Sequence, residues 1–488
     1  MSLSVAYNTA RSSLQASQSQ MAVVARNTSG ATDPSYSRKI GVLTTTGGAA
    51  RVTVLRASDQ ALLTKMLETT SASATQKALL EGLTKLSETI GDTELDQSAA
   101  ARVGALHSAL QQYANAPDNA TLARAFVKAA SDLADTLNRA TAAIQSVRLE
   151  ADKGMAGSVD RINDLLVKFE KANQQVMSGS ALGADVSDAM DTRDSLIAQL
   201  SEEIGITIVP RADNDIALYT DSGVPLFERT ARPVTFSPTT AFGPATTGGD
   251  VFIDGIRVTG PGALMPLSSG NLVGLAQVRD GVAVTYQKQL DELARGLIQA
   301  FAESDQIGVP KGGDMPGVFT FAGATGIPTM PASAGLAGLI RVNDAIDPTK
   351  GGAYEKIRDG GINGGNYSYN PAGNANAAFS GRLYALTDGM VAERPFDTAF
   401  GFGPTASLQG FASLTGSWLE ATRQSASQSV DYQTTLLTHA SEALSNATDV
   451  NTDDETALML QLEKSYAASA KLLSVIDQLL KTLLSVLG

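Results

Sequence analysis

Few residues in this chain have both the type and the spacing that catalysis or metal binding requires. The sequence contains no cysteine and two histidines, His107 and His439. Thiol catalysis and cysteine-based zinc sites are therefore excluded, and neither histidine belongs to a His-Glu-x-x-His motif. The adjacent acids Asp453-Asp454-Glu455 could suggest a divalent cation. Consecutive side chains at a helix start cannot all face one ion, so we interpret them as part of a helix cap.

Two Arg-Asp dipeptides, Arg193-Asp194 and Arg279-Asp280, are the remaining candidates for charged catalysis. Each lies in an amphipathic helical segment, where ion pairs are usually structural, so we predict salt bridges or caps. Gly401-x-Gly403 is a fragment of a Gly-rich loop, but no Gly-Lys-Ser/Thr follows it. We therefore predict no catalytic residue, no cofactor and no metal, and expect that the chain is not an enzyme.

The charge balance also limits the partners. With 37 Lys and Arg against 50 Asp and Glu, the 488-residue chain has a net charge of −13, which disfavours binding to nucleic acid or anionic lipid. The N-terminus has neither the charged region nor the apolar run of a secretory signal. The most apolar segment, 472–487, contains Asp477 and Lys481 and is too short to span a bilayer. We expect a protein that is cytosolic or exported without cleavage.

The pattern of the chain predicts a mainly α fold with a smaller β part. Helical segments dominate, with breaks near Gly91, 116–118 and 179–183, while short β-type runs occur between turns in 204–267. In chain order we predict an N-terminal helix and turn (1–57) that pairs with the C-terminus, followed by the first part of a bundle-like helical domain (58–203). A small outer β domain (204–267) comes next. The second part of the helical domain (268–447) contains a Gly/Asn-rich region (307–405), and a C-terminal coiled-coil helix (448–488) follows it.

The C-terminal segment has the strongest pattern in the chain. Its apolar and small residues follow 4-3 spacing, which is typical of a helix that buries one seam against another helix. Thr452 and Glu455 have the spacing of a capping box and predict the start of this helix. The members of the seam are Leu458, Leu462, Ser465, Ser469, Leu472, Ile476, Leu479, Leu483 and Val486.

The N-terminal segment carries a weaker stripe with the same spacing: Leu3, Tyr7, Ala10, Leu14, Ser17, Met21 and Val24. Two terminal helices with apolar seams indicate an antiparallel or staggered coiled coil, although both could simply dock on the chain's own domain. The C-terminal helix also has leucines outside its seam, such as Leu473, Leu480 and Leu484. One partner helix cannot cover so wide a face, so we predict that several copies pack side by side.

Four segments together resemble a known family, the bacterial flagellar axial proteins, and within it the hook-associated protein 1 family of the hook–filament junction. Residues 27–38 are similar to the family's turn after its first helix, and 188–201 to its Leu-Asp-x-Arg-Asp-x-Leu helix. Residues 270–294 resemble its Gly-x-Leu…Arg-Asp…Leu-Asp-x-Leu-Ala stretch, and 450–478 the C-terminal helix shared by axial proteins. Tyr36-Ser37-Arg38 and the two central segments are more specific to the junction family.

The resemblance implies a structural role at the distal end of the hook, where the protein would join hook to filament and be needed for filament assembly and motility. Implied partners are further copies of the chain, the hook protein, a second junction protein, the filament cap protein, and an export chaperone at the C-terminal helix. The resemblance also implies an extracellular location in the flagellum, reached uncleaved through the flagellar type III channel. The expected assembly residues are Leu3, Tyr7, Leu14, Met21, Val24, Tyr36, Arg38, Leu458, Leu462, Tyr466, Leu472, Ile476, Leu479 and Leu483.

Two alternatives remain open. The chain could be another axial protein, of the hook or rod, because those proteins share the terminal motifs. It could also be a surface adhesin of the flagellum that binds through the β unit at 204–267. That unit lacks an aromatic platform, since Tyr219, Phe227, Phe236 and Phe252 are scattered along it. A packing or spacer role for the unit is the better interpretation.

Overall fold

The fold is mainly helical with small antiparallel sheets, as the sequence pattern predicts. It is given by a computed structural model that describes residues 3–46, 49–90 and 98–487. The helices are α1 (Leu3–Gly30), α2 (Gln60–Ile90), α3 (Ala99–Asn115), α4 (Ala120–Ala181), α5 (Ser187–Glu203), α6 (Asn271–Ala276), α7 (Ala283–Ala300), α8 (Leu336–Leu339), α9 (Glu355–Asp359), α10 (Gly381–Val391), α11 (Leu408–Thr448) and α12 (Thr452–Leu487).

The strands form separate small sheets. A long hairpin follows α1, and two three-stranded sheets lie in the segment where short β runs are predicted. The strands are β1 (Lys39–Thr46), β2 (Ala49–Arg56), β3 (Ile206–Pro210), β4 (Ile216–Thr220), β5 (Pro225–Phe227), β6 (Val234–Phe236), β7 (Val251–Ile253), β8 (Ile256–Arg257), β9 (Phe319–Phe321), β10 (Ile340–Val342), β11 (Arg394–Pro395) and β12 (Thr405–Ala406).

Helix α4 is the central element because it contributes to two separate apolar cores. At about 1.5 Å per residue its 62 residues extend about 93 Å. Its first half shares one apolar core with α3, α7, α10 and α11, and Phe126 is fully buried in that core. Its second half packs with α5 and the two three-stranded sheets, where Phe169 meets Phe227 edge to face at 4.9 Å. One helix therefore joins the helical bundle to the β unit.

The predicted helix breaks near 116–118 and 179–183 are present, whereas Gly91 lies outside the described residues. Helix α3 ends at Asn115, and α4 begins after Asn119, whose side chain accepts from the Thr121 amide at 2.9 Å. An N-cap of this kind satisfies one of the orphan amides of the first turn. The other end of α4 lies at Ala181, within the predicted break.

The Arg-Asp dipeptides are structural, as predicted, but only one of them is a close pair. Arg279 and Asp152 are both buried and lie 2.5 Å apart, and Arg279 also contacts Asp280 at 2.7 Å. Arg193 lies 3.9 Å from Asp194 and instead donates to the Asn173 side chain and the Asn214 carbonyl. Both arginines bind groups from distant parts of the chain, so structural contacts account for these charged residues.

The Gly/Asn-rich region at 307–405 is built from short elements held by buried carboxylates. Asp291 on α7 accepts from the amides of Gly335 and Ala337, each at 2.8 Å. Burial raises the pKa of Asp291 to about 6. Glu303 likewise accepts from the Asn363 amide and from Arg382. Hydrogen bonds to buried carboxylates hold this region together. Its fold could therefore not be predicted from the spacing of apolar residues.

Candidate assembly interface

The two terminal helices pair side by side in antiparallel orientation. Ser13 of α1 lies 3.2 Å from Ser469 of α12, and Gln18 lies 3.4 Å from Tyr466. Further along, Asn27 donates to Glu455 at 3.0 Å. Residue numbers rise along α1 as they fall along α12, so the two helices run antiparallel.

The α12 surface that faces α1 contains some residues of the predicted seam but not others. Leu462 and Ile476 are buried. Tyr466 is half-buried and contacts α1, and Leu473 and Leu480 are also half-buried. The predicted seam members Leu458, Leu472 and Leu479 are 36%, 52% and 52% exposed. Positions 459, 466, 473 and 480 are thus half-buried, and each lies one residue beyond the predicted positions 458, 465, 472 and 479. The helix takes this orientation because Glu455 anchors it with positions 455, 462, 469 and 476 toward α1.

The remaining leucines leave an apolar stripe uncovered beside this seam. We call Leu458, Leu472, Val475 and Leu479 the outer stripe of α12, since Val475 is also exposed. These positions fall on one flank of the helix at spacings of three, four and seven residues. The outer stripe is the part of the wide apolar face that a single partner helix does not cover.

The predicted residues of α1 are divided between two partners. Val24 is buried, Leu14 and Met21 are half-buried, and Tyr7 is exposed. The hairpin of β1 and β2 packs along another side of α1, where the Gln20 amide donates to the Gly41 carbonyl at 3.0 Å. The side chains of Leu3 and Leu483 lie outside the described residues, although the helical backbone includes both positions.

Asn27 lies at the point where α1, the following turn and α12 meet. Its side-chain amide donates to the Lys39 carbonyl at 2.8 Å and to Glu455. Its carbonyl oxygen accepts from the Lys39 amide at 2.8 Å and from the Tyr36 hydroxyl at 2.9 Å. All four bonds of this buried amide are formed inside the chain, so it fixes the direction in which the chain leaves α1.

Tyr36 and Arg38, both expected at the assembly interface, make their described contacts within the chain. Tyr36 packs its ring against Gly30, where a Cβ atom would come within 2.7 Å of the ring. Burial raises the pKa of the Tyr36 phenol to about 12. Arg38 donates from Nε to Glu455 at 2.7 Å, and its amide donates to the Thr448 carbonyl at 2.7 Å. Arg38 therefore ties the N-terminal segment to the C-terminal helices, whereas the contacts of Tyr36 lie within the N-terminal segment.

The start of α12 corrects the predicted capping box. Asn451, not Thr452, provides the cap, because its side chain accepts from the amides of Asp453 and Asp454 at 3.0 and 3.3 Å. Glu455 does not act as a capping side chain; its carboxylate is 1% exposed and accepts from Arg38 and Asn27. Arg38 and Asn27 bind this carboxylate, and the backbone amides at the start of its own helix do not.

Replacing Asn451 by alanine is expected to destabilise the protein by about 0.5–2 kcal/mol, because two orphan amides lose their acceptor. Thr452→Ala is the matched control and should cost less, since the Thr452 hydroxyl caps nothing in the described contacts. Chemical unfolding followed by circular dichroism measures both. A larger loss for Thr452→Ala than for Asn451→Ala would restore the capping-box interpretation.

A second charged cluster ties the hairpin to α5. Asp191 binds the buried Lys39 ammonium and accepts from Arg56 Nε at 2.6 Å, while Arg56 also donates to Asp194 at 2.6 Å. Burial lowers the pKa of Lys39, although Asp191 opposes that effect. Nearby, the hydrogen bond that Arg26 donates to Asp188 raises the pKa of Arg26, which also pairs with Asp185 at 2.8 Å.

These contacts bring three of the sequence segments that resemble the axial family into one place. The turn at 27–38, the helix that begins near 188 and the C-terminal helix meet through Asn27, Asp191 and Glu455. Sequence reasoning did not single out Asn27, Lys39, Arg56, Asp191 or Glu455 as site residues. A signal was present in Asn27, a polar residue that lies three positions after Val24 and so continues the apolar stripe of α1.

The described part of the chain holds no group of three or more His, Asp and Glu residues placed to bind a metal ion. Within the same residues, none of the helices has the length and apolar character needed to span a bilayer. A cleft of about 650 Å³ lies between the 34–37 turn, α5 and the end of α11. Arg56 in this cleft pairs with Asp191 and Asp194, and the acids Asp59, Glu442 and Asp449 also line it.

Comparison with known proteins identifies first the class and then the family. A family model described as "Flagellar basal body rod FlgEFG protein C-terminal" matches residues 441–486 and indicates the class of flagellar axial proteins. A second model, described as "Flagellar hook-associated protein FlgK helical domain", matches residues 83–321. This match and the curated relatives support a hook-associated protein 1.

Two curated relatives carry the name "Flagellar hook-associated protein 1". The chain is 22% identical to the Bacillus subtilis (strain 168) protein over 429 residues, which cover 84% of this chain and 80% of that protein. It is 21% identical to the Escherichia coli (strain K12) protein over 325 residues, covering 63% and 58%. A solved structure of the flagellar hook junction protein FlgK from Burkholderia pseudomallei aligns with a TM-score of 0.42 at 18% identity, over 53% of this chain and 47% of that one.

Proposed function

We propose that this chain is a structural component of the bacterial flagellum that joins the hook to the filament by self-assembly at the distal end of the hook. The family supports the place of action, because the helical-domain model and both curated relatives are hook-associated proteins. The observation that carries the mechanism is the antiparallel pair of terminal helices with an uncovered apolar stripe. An apolar face of that kind is buried favourably when identical chains pack in a lattice.

The central helical domain distinguishes this proposal from its alternatives. The C-terminal match alone would fit a rod or hook protein, but the match over 83–321 is to the hook-associated family. No feature of the β unit favours an adhesin, since its aromatic residues Phe227 and Phe236 face α4 and its neighbours. The chain accordingly acts as an adaptor and not as an enzyme, with no cofactor.

The proposed partners are further copies of the chain, the hook protein, a second junction protein, the filament cap protein and an export chaperone at α12. The proposed route is uncleaved export through the flagellar type III channel to the outside of the cell. The exposed side chains of α12 fit this route, because a chaperone could shield the outer stripe until assembly. Neither nucleic acid nor membrane is proposed as a partner, given the net charge of −13.

Deleting the gene tests the proposed place of action. We expect cells with intact hooks and no filaments, and soluble flagellin in the medium, because the filament would have no base on which to grow. Electron microscopy of the cells and an immunoblot of the culture supernatant measure both. Cells without hooks would assign the protein to the rod or hook instead, and normal filaments with lost surface binding would support the adhesin. Plasmid-borne wild-type protein controls for effects on neighbouring genes.

A further inference from the structure

The hairpin that follows α1 has one covered face and one open face. On the covered face, Gly41 approaches Gln20 of α1 so closely that an added Cβ would lie 3.4 Å from the Gln20 side chain. Ile40 opposes Leu55 in the register of the hairpin, and Val42 opposes Thr53, so these four residues share the other face. Ile40 is 43% and Leu55 is 52% exposed, and Val42 is also exposed.

We propose that this open face binds the outer stripe of α12 on a second copy of the chain. The inference rests on the proposed function, because it specifies how neighbouring copies would meet in the junction. One chain carries both surfaces, and they differ in shape, one a two-stranded sheet and the other a helix flank. Such a contact is heterologous and propagates from copy to copy, as an axial structure requires.

Charge supports a match between the open face and the start of the outer stripe, at Leu458. The hairpin strands have 8 residues each and extend about 26 Å at roughly 3.3 Å per residue. The outer stripe extends about 32 Å from Leu458 to Leu479 at roughly 1.5 Å per residue. Arg51 is exposed near the tip of the hairpin and has no ion-pair partner among the described residues, and it opposes Thr44 on the open face. Asp454 lies one turn before Leu458, on the same flank of α12.

The arrangement places Arg51 of one copy beside Asp454 of the next, with the apolar side chains packed beyond them. The apolar part of the contact is small, since three large side chains from the hairpin take part. Stable complexes of two proteins generally bury about 1,200 Å² or more. This contact would therefore not dimerise the free chain and would act only together with the other contacts of the assembled junction.

Cysteine cross-linking tests the contact directly, because the chain has no cysteine of its own. Cells would co-express Val42→Cys and Leu458→Cys copies, because Val42 lies two residues from the level of Arg51 and Leu458 one turn after Asp454. Oxidation of isolated hook–filament complexes should give a disulfide-linked dimer containing one copy of each. Either variant alone should give none. Val42→Cys with Leu414→Cys, an exposed position on α11, is the matched control. A dimer of Val42→Cys alone, or equal yields from the control pair, would overturn the proposed contact.

Charge reversal provides a second measurement. Arg51→Glu should lower the cross-link yield about two- to fivefold, as expected for an exposed ion pair. Asp454→Arg in the same chain should restore the yield. No cross-link in complexes that contain both cysteine variants and bear normal filaments would refute the contact and leave the junction role intact. Absence of the wild-type chain from isolated hook–filament complexes would instead refute the junction role, and the contact with it.

Discussion

Asp191→Ala is expected to lower the free energy of unfolding by about 3–5 kcal/mol, the cost of breaking a buried ion pair by removing one partner. The substitution leaves the Lys39 ammonium without its close carboxylate at a site where its side chain is fully buried. Arg56 loses one of its two carboxylates in the same step. Urea unfolding followed by far-UV circular dichroism, with tryptophan fluorescence as a second probe, measures the change.

Asp188→Ala is the matched control for this prediction. Asp188 lies on the same helix, 3.9 Å from Lys39, but its side chain is largely exposed. Exposed ion pairs contribute about 0–1 kcal/mol, so the control should cost far less. Limited proteolysis should also cut the hairpin faster in Asp191→Ala than in the control, because the hairpin is released from α5. Equal losses for the two variants would contradict the role given to Asp191.

The sequence was sufficient to predict helical character, the pairing of the ends and the breaks that delimit α4. These features depend on local signals: apolar spacing in the terminal helices, and turn residues such as those at 116–118 and 179–183. The assignment to the hook-associated family, confirmed by the family models and relatives, depended on short motifs and not on periodicity. The domain boundaries proposed from composition stay predictions.

The alignment of the seam on α12 could not be predicted from α12 alone. Positions 458 and 459 both continue a 4-3 pattern, and Leu458 is the more apolar and so the natural choice. The structure turns the helix the other way because Glu455 binds Arg38 and Asn27, residues more than 400 positions earlier in the chain. A buried polar contact between distant residues outweighs a local apolar preference there.

The same limit applies to the charged cluster around Asp191. Lys39 and Asp191 are 152 positions apart, and nothing in the local sequence of either residue indicates the other. The amphipathic pattern around the Arg193-Asp194 dipeptide next to them predicts a structural salt bridge or a cap but does not name its partners. In the structure Asp194 binds Arg56, and Arg193 binds Asn173. Sequence proximity is a poor guide to partners when a helix presents its charges to other elements.

Ile476→Asp is expected to abolish filament formation while the chain is still produced and exported. Ile476 is buried in the seam between α1 and α12, so the variant loses about 2–5 kcal/mol of packing and places a carboxylate in an apolar contact. The paired helices would separate, and the surface that several copies share would be lost. Filament counts by electron microscopy and the amount of the chain in the culture medium measure the effect.

Two further variants separate pairing within a chain from packing between chains. Leu472→Asp changes the outer stripe, where the side chain is half exposed, so it should block assembly without loosening α1 from α12. Ser474→Asp changes an exposed position on the opposite flank and should leave filaments normal. Proteolysis of the purified chains distinguishes the first two variants, because only Ile476→Asp should expose the ends to rapid cleavage. Normal filaments on cells with Ile476→Asp would disprove the role of the terminal pair, since the charge would stand at a buried position of that pair.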